Sequence, residues 1–292
     1  MDARSEIREF LTSRRARITP QEAGLPVFGG TRRVLGLRRE EAAMLAGVSV
    51  DYYTKMERGN LRGVSESVLD ALARGLQLDD AERAHLFDLA RAAGPLARPR
   101  RRPAKPGVRP GVQRILDAMT GAPAIVQDGR LNVLAANRLG LALYSEMDLA
   151  PPRPANHGRF VFLDPRAPGF FLDWERAAND TVAMLRAEAG RDPHDRDLSD
   201  LVGEFSTRSD EFRVRWAAHN VRAHRTGAKR FHHPVVGDLT LTYEMLDLTA
   251  DPGLQLLAFS AEPGTTSQDA LSLLGSWAAT VEPAAPHATN QP

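Results

Sequence analysis

The 292-residue chain has no cysteine. That excludes disulfides and thiolate metal sites and fits a reducing compartment, so the expected location is cytoplasmic. No apolar run approaches the ~18 residues of a membrane helix. The opening MDARSEIREF lacks the apolar core of a signal peptide, and no membrane partner is expected. Phosphate-cradle motifs are missing, because Gly29-Gly30-Thr31 runs into Arg32-Arg33 rather than into the lysine of a P-loop. No nucleophile stands beside a base. Asp192-Pro193-His194-Asp195 reads as a loop with a helix cap at Asp195 or Asp197, and no catalytic residue is expected. His219, His224, His232 and His233 crowd together, but HxxxxH followed by HH matches no common zinc spacing. No metal and no cofactor is expected.

What is present is unevenly charged. Residues 1–110 carry 21 Lys+Arg against 14 Asp+Glu, and residues 111–292 carry 17 against 23. Only the front third has the sign that a phosphate backbone attracts. Within it, Arg39–Arg58 has the pattern of two short helices joined by a tight turn. Ala43 is small where two helices must approach, and Gly47 falls in the turn, where a positive φ suits glycine. Ser49 stands where a hydroxyl can cap the second helix. Ala42, Ala46, Val48, Tyr53 and Met56 face inward. Helices are expected near 2–16, 39–46, 49–58, 65–76 and 80–93, the last opened by an Asp79–Glu82 capping box.

The pattern reads as a helix-turn-helix, and the expected partner is double-stranded DNA. Ser49, Val50, Asp51, Thr54, Lys55 and Arg58 are left on the outward face of the second helix, three and four residues apart. Val50 suits a thymine methyl, Asp51 a cytosine amine, and Lys55 a guanine or a phosphate. Arg38 and Arg39 are placed for phosphates. Arg32, Arg33, Arg62 and the Arg14-Arg15-Ala16-Arg17 cluster are further phosphate candidates or a solvated basic face.

From residue 95 to 110, prolines and basic residues alternate without apolar periodicity, which reads as a linker and a possible basic arm. Beyond it the period changes. Pro123–Asn137 reads as a hairpin turning at Asp128-Gly129, followed by a helix over 139–145. Residues 170–189 and 198–219 read as helices, 238–248 and 254–261 as strands, and 267–279 as a closing helix. The expected domains are 1–94, all-α and helix-turn-helix; 111–281, α+β with helices on one face of an antiparallel sheet; and a disordered tail at 282–292. Leu239, Leu241, Tyr243 and Met245 would line one sheet face under helices bearing Phe205, Phe212 and Trp216. That arrangement would enclose a small apolar ligand or else form an ordinary core. Asn137, Arg213, His219, His232, His233 and Tyr243 are the polar groups that would hold its head.

The words GVSVDYYTKMERG, VLAANRLGLALYS, RFVFLDPRA, FRVRWAAHNVRAHRTGAKRFHHPVVGDLTLTYEMLDL and SAEPG together resemble the MmyB-like regulators. Those join an XRE-type (lambda repressor-like) DNA-binding domain to a PAS-like ligand-binding domain. The resemblance spans about residues 7–279. It implies a bacterial transcription factor of a kind abundant in actinomycetes, working as a homodimer with a fatty-acid-like ligand. Two alternatives stay open at this point. The C-terminal half could serve only dimerisation or protein contact, or it could be a small-molecule enzyme tethered to a DNA-binding module.

Overall fold

The computed structural model describes residues 3–25, 34, 36–94, 107–147, 154–218 and 226–280. The chain opens with α1 (Ala3–Arg17), α2 (Arg39–Leu45), α3 (Val50–Glu57), α4 (Glu66–Gly75) and α5 (Asp80–Ala92). Then come α6 (Pro110–Ala118), strands β1 (Ala124–Asp128) and β2 (Val133–Ala136), and short helices α7 (Arg138–Leu143), α8 (His157–Leu163) and α9 (Ala167–Phe170). Helices α10 (Trp174–Arg191), α11 (Arg196–Arg208) and α12 (Asp210–Ala217) follow. The chain ends in β3 (Thr226–His233), β4 (Gly237–Asp247), β5 (Leu254–Ser260) and α13 (Thr266–Thr280).

These elements form two compact units, Met1–Arg102 with Ala178–His224, and Pro103–Ala177 with Arg225–Pro292. The division therefore differs from a single domain over 111–281, since most of α10 and all of α11 and α12 cluster with the N-terminal helices. The expected linker lies largely outside the described residues. Its end does not behave as a free arm: Arg109 precedes α6 and donates to Asp251 at 2.8 Å.

In the first unit the helix ends are set locally. Ser49 accepts from the Tyr52 N–H at 3.2 Å, and Asp79 and Glu82 cap each other reciprocally at 2.8 and 3.3 Å. Ile7, Phe10, Leu11, Tyr53, Met56, Leu72 and Leu86 fill the centre. Buried ion pairs then fix which helix meets which. Arg186 on α10 is fully buried; it donates to Glu6 of α1 and to the Trp216 carbonyl, with its guanidinium 4.0 Å over the Trp216 ring. Phe212 meets the Phe205 ring edge to face and stacks on the Trp216 ring, with centroids 5.1 and 5.4 Å apart. Gly190 passes the His85 ring so closely that a β-carbon there would overlap the ring, and His85 in turn meets the Phe10 ring at 5.0 Å.

The second unit is a five-stranded antiparallel sheet in the order β2-β1-β5-β4-β3. Alternation along β4 buries Leu239, Leu241 and Tyr243 and exposes Thr240, Thr242 and Glu244. The register carries the buried face across Phe259, Leu257 and Ile125. Helices α7, α9 and α13 pack on strands β1, β3 and β4 respectively. The opposite face is not bare, as the helices-on-one-face expectation requires. There α6 lays Val112 and Leu116 on Ala124, Val126 and Leu254.

Sequence periodicity missed α6, α8 and β3. The last is a polar edge strand whose buried positions are Phe231 and His233. The helix expected over 170–189 is α10, which starts at Trp174 after the short α9, and the helix expected over 198–219 breaks at Ser209, which caps α12 through the Phe212 N–H. The hairpin turn takes its positive φ at Leu131 (65°) rather than at Gly129. Asp128 holds that turn by accepting from the Arg130 and Asn132 N–H groups at 2.9 and 3.0 Å. Asp195 is the cap of α11.

Arg186→Met leaves the Glu6 carboxylate buried without the guanidinium that it receives from α10. Denaturant titration of this variant is expected to show a loss of about 3–5 kcal/mol. Most of it should return in the Arg186→Met/Glu6→Gln double variant, where no charge is left behind. A neutral single substitution would show that the pair does not hold the unit together.

Candidate DNA interface and ligand site

The turn between α2 and α3 is made by Gly47 at φ 65°, and its α-carbon faces open space. With Ser49 capping, α3 starts at Val50 and buries Tyr53, Met56 and Glu57. The opposite face presents Val50 (45% exposed), Asp51, Lys55 and Arg58 to solvent, with Thr54 half-buried. Asp51 lies in the first turn, where the helix dipole favours a carboxylate. Ser49 is exposed but its oxygen is engaged as the cap.

Glu57 sets the pose of this helix, and sequence reasoning missed it. It is buried at 2% exposure and accepts from Arg15 of α1 at 2.5 Å and from Arg39 at the start of α2. One carboxylate thus ties three helices. A glutamate in an amphipathic helix carries no sign of burial in sequence, and only the two converging arginines reveal it.

The same ion pairs reassign several basic residues. Arg15 also donates to the Leu37 carbonyl at 2.6 Å, Arg14 is buried with its Nε 2.9 Å from Glu82, and Arg17 reaches Glu82 at 3.1 Å. Burial draws the Arg14 guanidinium down to about 10 against the opposing pull of Glu82. Arg14 and Arg15 are therefore internal braces, whereas Arg17 keeps about half its side chain exposed. Arg39 keeps about half its side chain exposed, although its Nε is committed to Glu57. Arg38 is exposed with Glu40 at 3.8 Å, and Arg62 is exposed. Arg32 and Arg33 lie outside the described residues.

The residues that the sequence nominates for a ligand do not fall in one unit. Phe205, Phe212, Arg213 and Trp216 belong to the first, where the aromatics pack on one another and exposed Arg213 pairs with Asp210 at 2.9 Å. His219 lies outside the described residues. Leu241 and Tyr243 are buried on the inner sheet face of the second unit. Asn137 and His233 are in that unit too, but their hydrogen bonds are spent internally. Asn137 caps α7 through the Gly140 N–H at 2.7 Å, accepts from Ala124 N–H at 3.0 Å, and donates to the Met119 and Ala122 carbonyls. His233 Nε2 lies 2.9 Å from the Ala142 carbonyl, and its Nδ1 accepts from the Val235 N–H at 3.2 Å. Exposed His232 pairs with Asp238 at 2.6 Å. As strand neighbours, His232 and His233 face opposite sides, which removes the geometry for a shared metal ion.

Other side chains come together instead. Tyr144 lies in an aromatic group with His157, Phe170, Phe231 and Phe259, at centroid separations of 6.0–6.2 Å. Lys229, opposite Leu241 on the inner face, places its ammonium 5.4 Å from the centre of the Tyr243 ring. Burial, reinforced by that ammonium, holds His157 well below the ordinary imidazole value; burial likewise lowers His233 and raises Tyr144.

A helix-turn-helix with a solvent-facing second helix, in a chain that adds an α+β unit, defines a DNA-binding regulator with a sensing domain. The chain belongs to the MmyB-like transcription regulators: residues 108–274 match the MmyB-like transcription regulator ligand binding domain, and residues 6–86 match a helix-turn-helix domain. The first match runs through α10–α12, so the family's ligand-binding region contributes helices to the DNA-binding unit. No curated protein matches the chain. Among the described residues, no helix is long and apolar enough to cross a membrane.

Two imidazoles held neutral by the native structure make its stability depend on pH. Their folded pKa values lie below the unfolded value of about 6.5, so the unfolded chain takes up protons that the native one refuses. Stability is full above that value and falls as pH drops through it. Between about pH 7 and 5.5 the decline should approach 1.4 kcal/mol per pH unit for His157, with a further contribution of the same sign from His233. Denaturant midpoints across that range measure it, and a flat profile would mean that both rings take up protons in the native state as they do in the unfolded chain.

Proposed function

We propose that the chain is a dimeric, cytoplasmic transcription regulator that reads an operator of two related half-sites. It responds to a small apolar, fatty-acid-like molecule held by the second unit, and it acts by binding rather than by catalysis. The observation that carries the DNA reading is the split of α3: Tyr53, Met56 and Glu57 are locked inside, while Val50, Asp51, Lys55 and Arg58 face solvent on one side. Val50 and Lys55 read base edges, Asp51 rejects sequences that lack a donor, and Arg38 and Arg58 meet phosphates. One eight-residue helix offers too few contacts for an operator, which favours a dimer on dyad-related half-sites. The ligand reading is supported by the matched family domain and by the aromatic inner face of the sheet.

Selection from random duplex DNA at near-physiological salt is expected to return one motif with two half-sites about 10 base pairs apart, or a multiple of that. Val50→Ala with Lys55→Ala should reduce the preference for that motif over unrelated DNA by about tenfold or more. The melting temperature should not change, because both side chains are exposed. Unchanged discrimination in the double variant would show that α3 does not read the bases.

A further inference from the structure

Helix α13 carries one charged side chain, Asp269, in its 15 residues. Helix α1, of the same length, carries seven. The inner stripe of α13, with Ala270, Leu271, Leu274 and Ala278, is buried. Its outer stripe meets solvent without a charge beyond the first turn: Ser272, Leu273, Ser276 and Ala279 are exposed there. Leu273 is 63% exposed, and half-buried Trp277 follows one turn along on the same side. The Trp277 ring meets the His233 ring at 6.3 Å, and His233 accepts from the N–H of Val235, itself 46% exposed. Three apolar side chains, on α13 and in the turn after β3, thus lie along one edge of the second unit.

The hydroxyls of this face are already bonded. Ser272 donates to the Gln268 carbonyl at 2.9 Å, Ser276 to the Ser272 carbonyl at 3.1 Å, and Thr280 to the Trp277 carbonyl at 2.7 Å. Each hydroxyl proton stays with the helix itself, so covering these groups strands no donor. A stripe of that kind, with a leucine and a tryptophan, has the composition of an interface core, where charges are depleted and aromatics enriched.

Charge decides the occupant. DNA and an anionic membrane both require cations, and α13 has none. In a twofold pair the same patch faces its own copy, so a charge near the axis meets its like. A stripe without charge escapes that repulsion and is complementary to itself.

We infer that this face of α13, with Val235 beside it, is where a second copy of the chain docks. The inference rests on the dimeric operator reading above and supplies its interface. A helix of this length runs about 22 Å and covers less than the ~800 Å² per partner of a standard interface. The free dimer is therefore weak, and two adjoining half-sites complete it by raising the effective concentration of one copy near the other.

Sedimentation equilibrium of the full-length protein is expected to show monomer and dimer exchanging with a Kd on the order of micromolar. Leu273→Glu should weaken that dimer about tenfold or more, because each copy then brings a carboxylate into an apolar contact. Its melting temperature should match the parent's at a concentration where both are monomers, since Leu273 is exposed. Leu246→Glu is the control: Leu246 is 52% exposed on the sheet face that carries α6, and this change should leave the equilibrium as it is. On DNA, Leu273→Glu should bind a single half-site like the parent and lose the parent's gain on paired half-sites. A Leu273→Glu protein that dimerises like the parent overturns the inference, and a dimer broken only by Leu246→Glu moves the contact to the open sheet face. If the parent stays monomeric and gains nothing from paired half-sites, the dimeric reading falls as well.

Discussion

A charge taken out of water must find a partner, and the first unit is organised around that constraint. Glu57, Glu6 and Glu82 are all nearly buried, and each is met by guanidinium groups from another helix. Such pairs add little net stability compared with an apolar core, yet breaking one is expensive, so they specify which helices meet and at what angle. The pose of the recognition helix follows from Glu57, which draws Arg15 and Arg39 onto a single carboxylate. With Tyr53 and Met56 buried beside it, Val50, Asp51 and Lys55 are left facing solvent.

The same constraint separates satisfied from unsatisfied polar groups in the second unit. Asn137 and His233 look like binding residues in sequence, being polar groups in an apolar context. Their partners turn out to be backbone carbonyls and amides of the turns they hold. Tyr144 and His157 attract no notice in sequence, and with Gln127 they carry the buried side-chain atoms left without hydrogen-bond partners among the described residues of that unit. Burial of a satisfied polar side chain builds the fold, whereas an unsatisfied one is a cost that the surrounding core offsets.

The two units are linked through chain connectivity in an informative way. Helix α10 begins among residues of the second unit, with the Trp174 indole donating to the Val161 carbonyl at 3.0 Å, and its remainder belongs to the first. Arg186, three turns along that helix, makes the buried contact with Glu6. Part of the ligand-binding region of the family is thus built into the DNA-binding unit, and a break read at the proline-rich stretch alone misses this.

Local chemistry was enough to read the helix-turn-helix from sequence. A glycine at a positive φ, a serine cap three residues before the N–H it accepts, and apolar residues at helical spacing all act within a few residues of one another. The strands β4 and β5 were legible for the same reason, since alternation encodes which face is buried. What sequence left undetermined depends on residues brought together from far apart. Arg186 meets Glu6, Arg15 meets Glu57, and Tyr144 meets His157 and Phe231. An arginine that will meet a phosphate and one that will brace a buried glutamate are the same residue in sequence, because spacing records periodicity but not partners. Only the packed structure, by removing water from some of them, decided which were braces and which were left to bind.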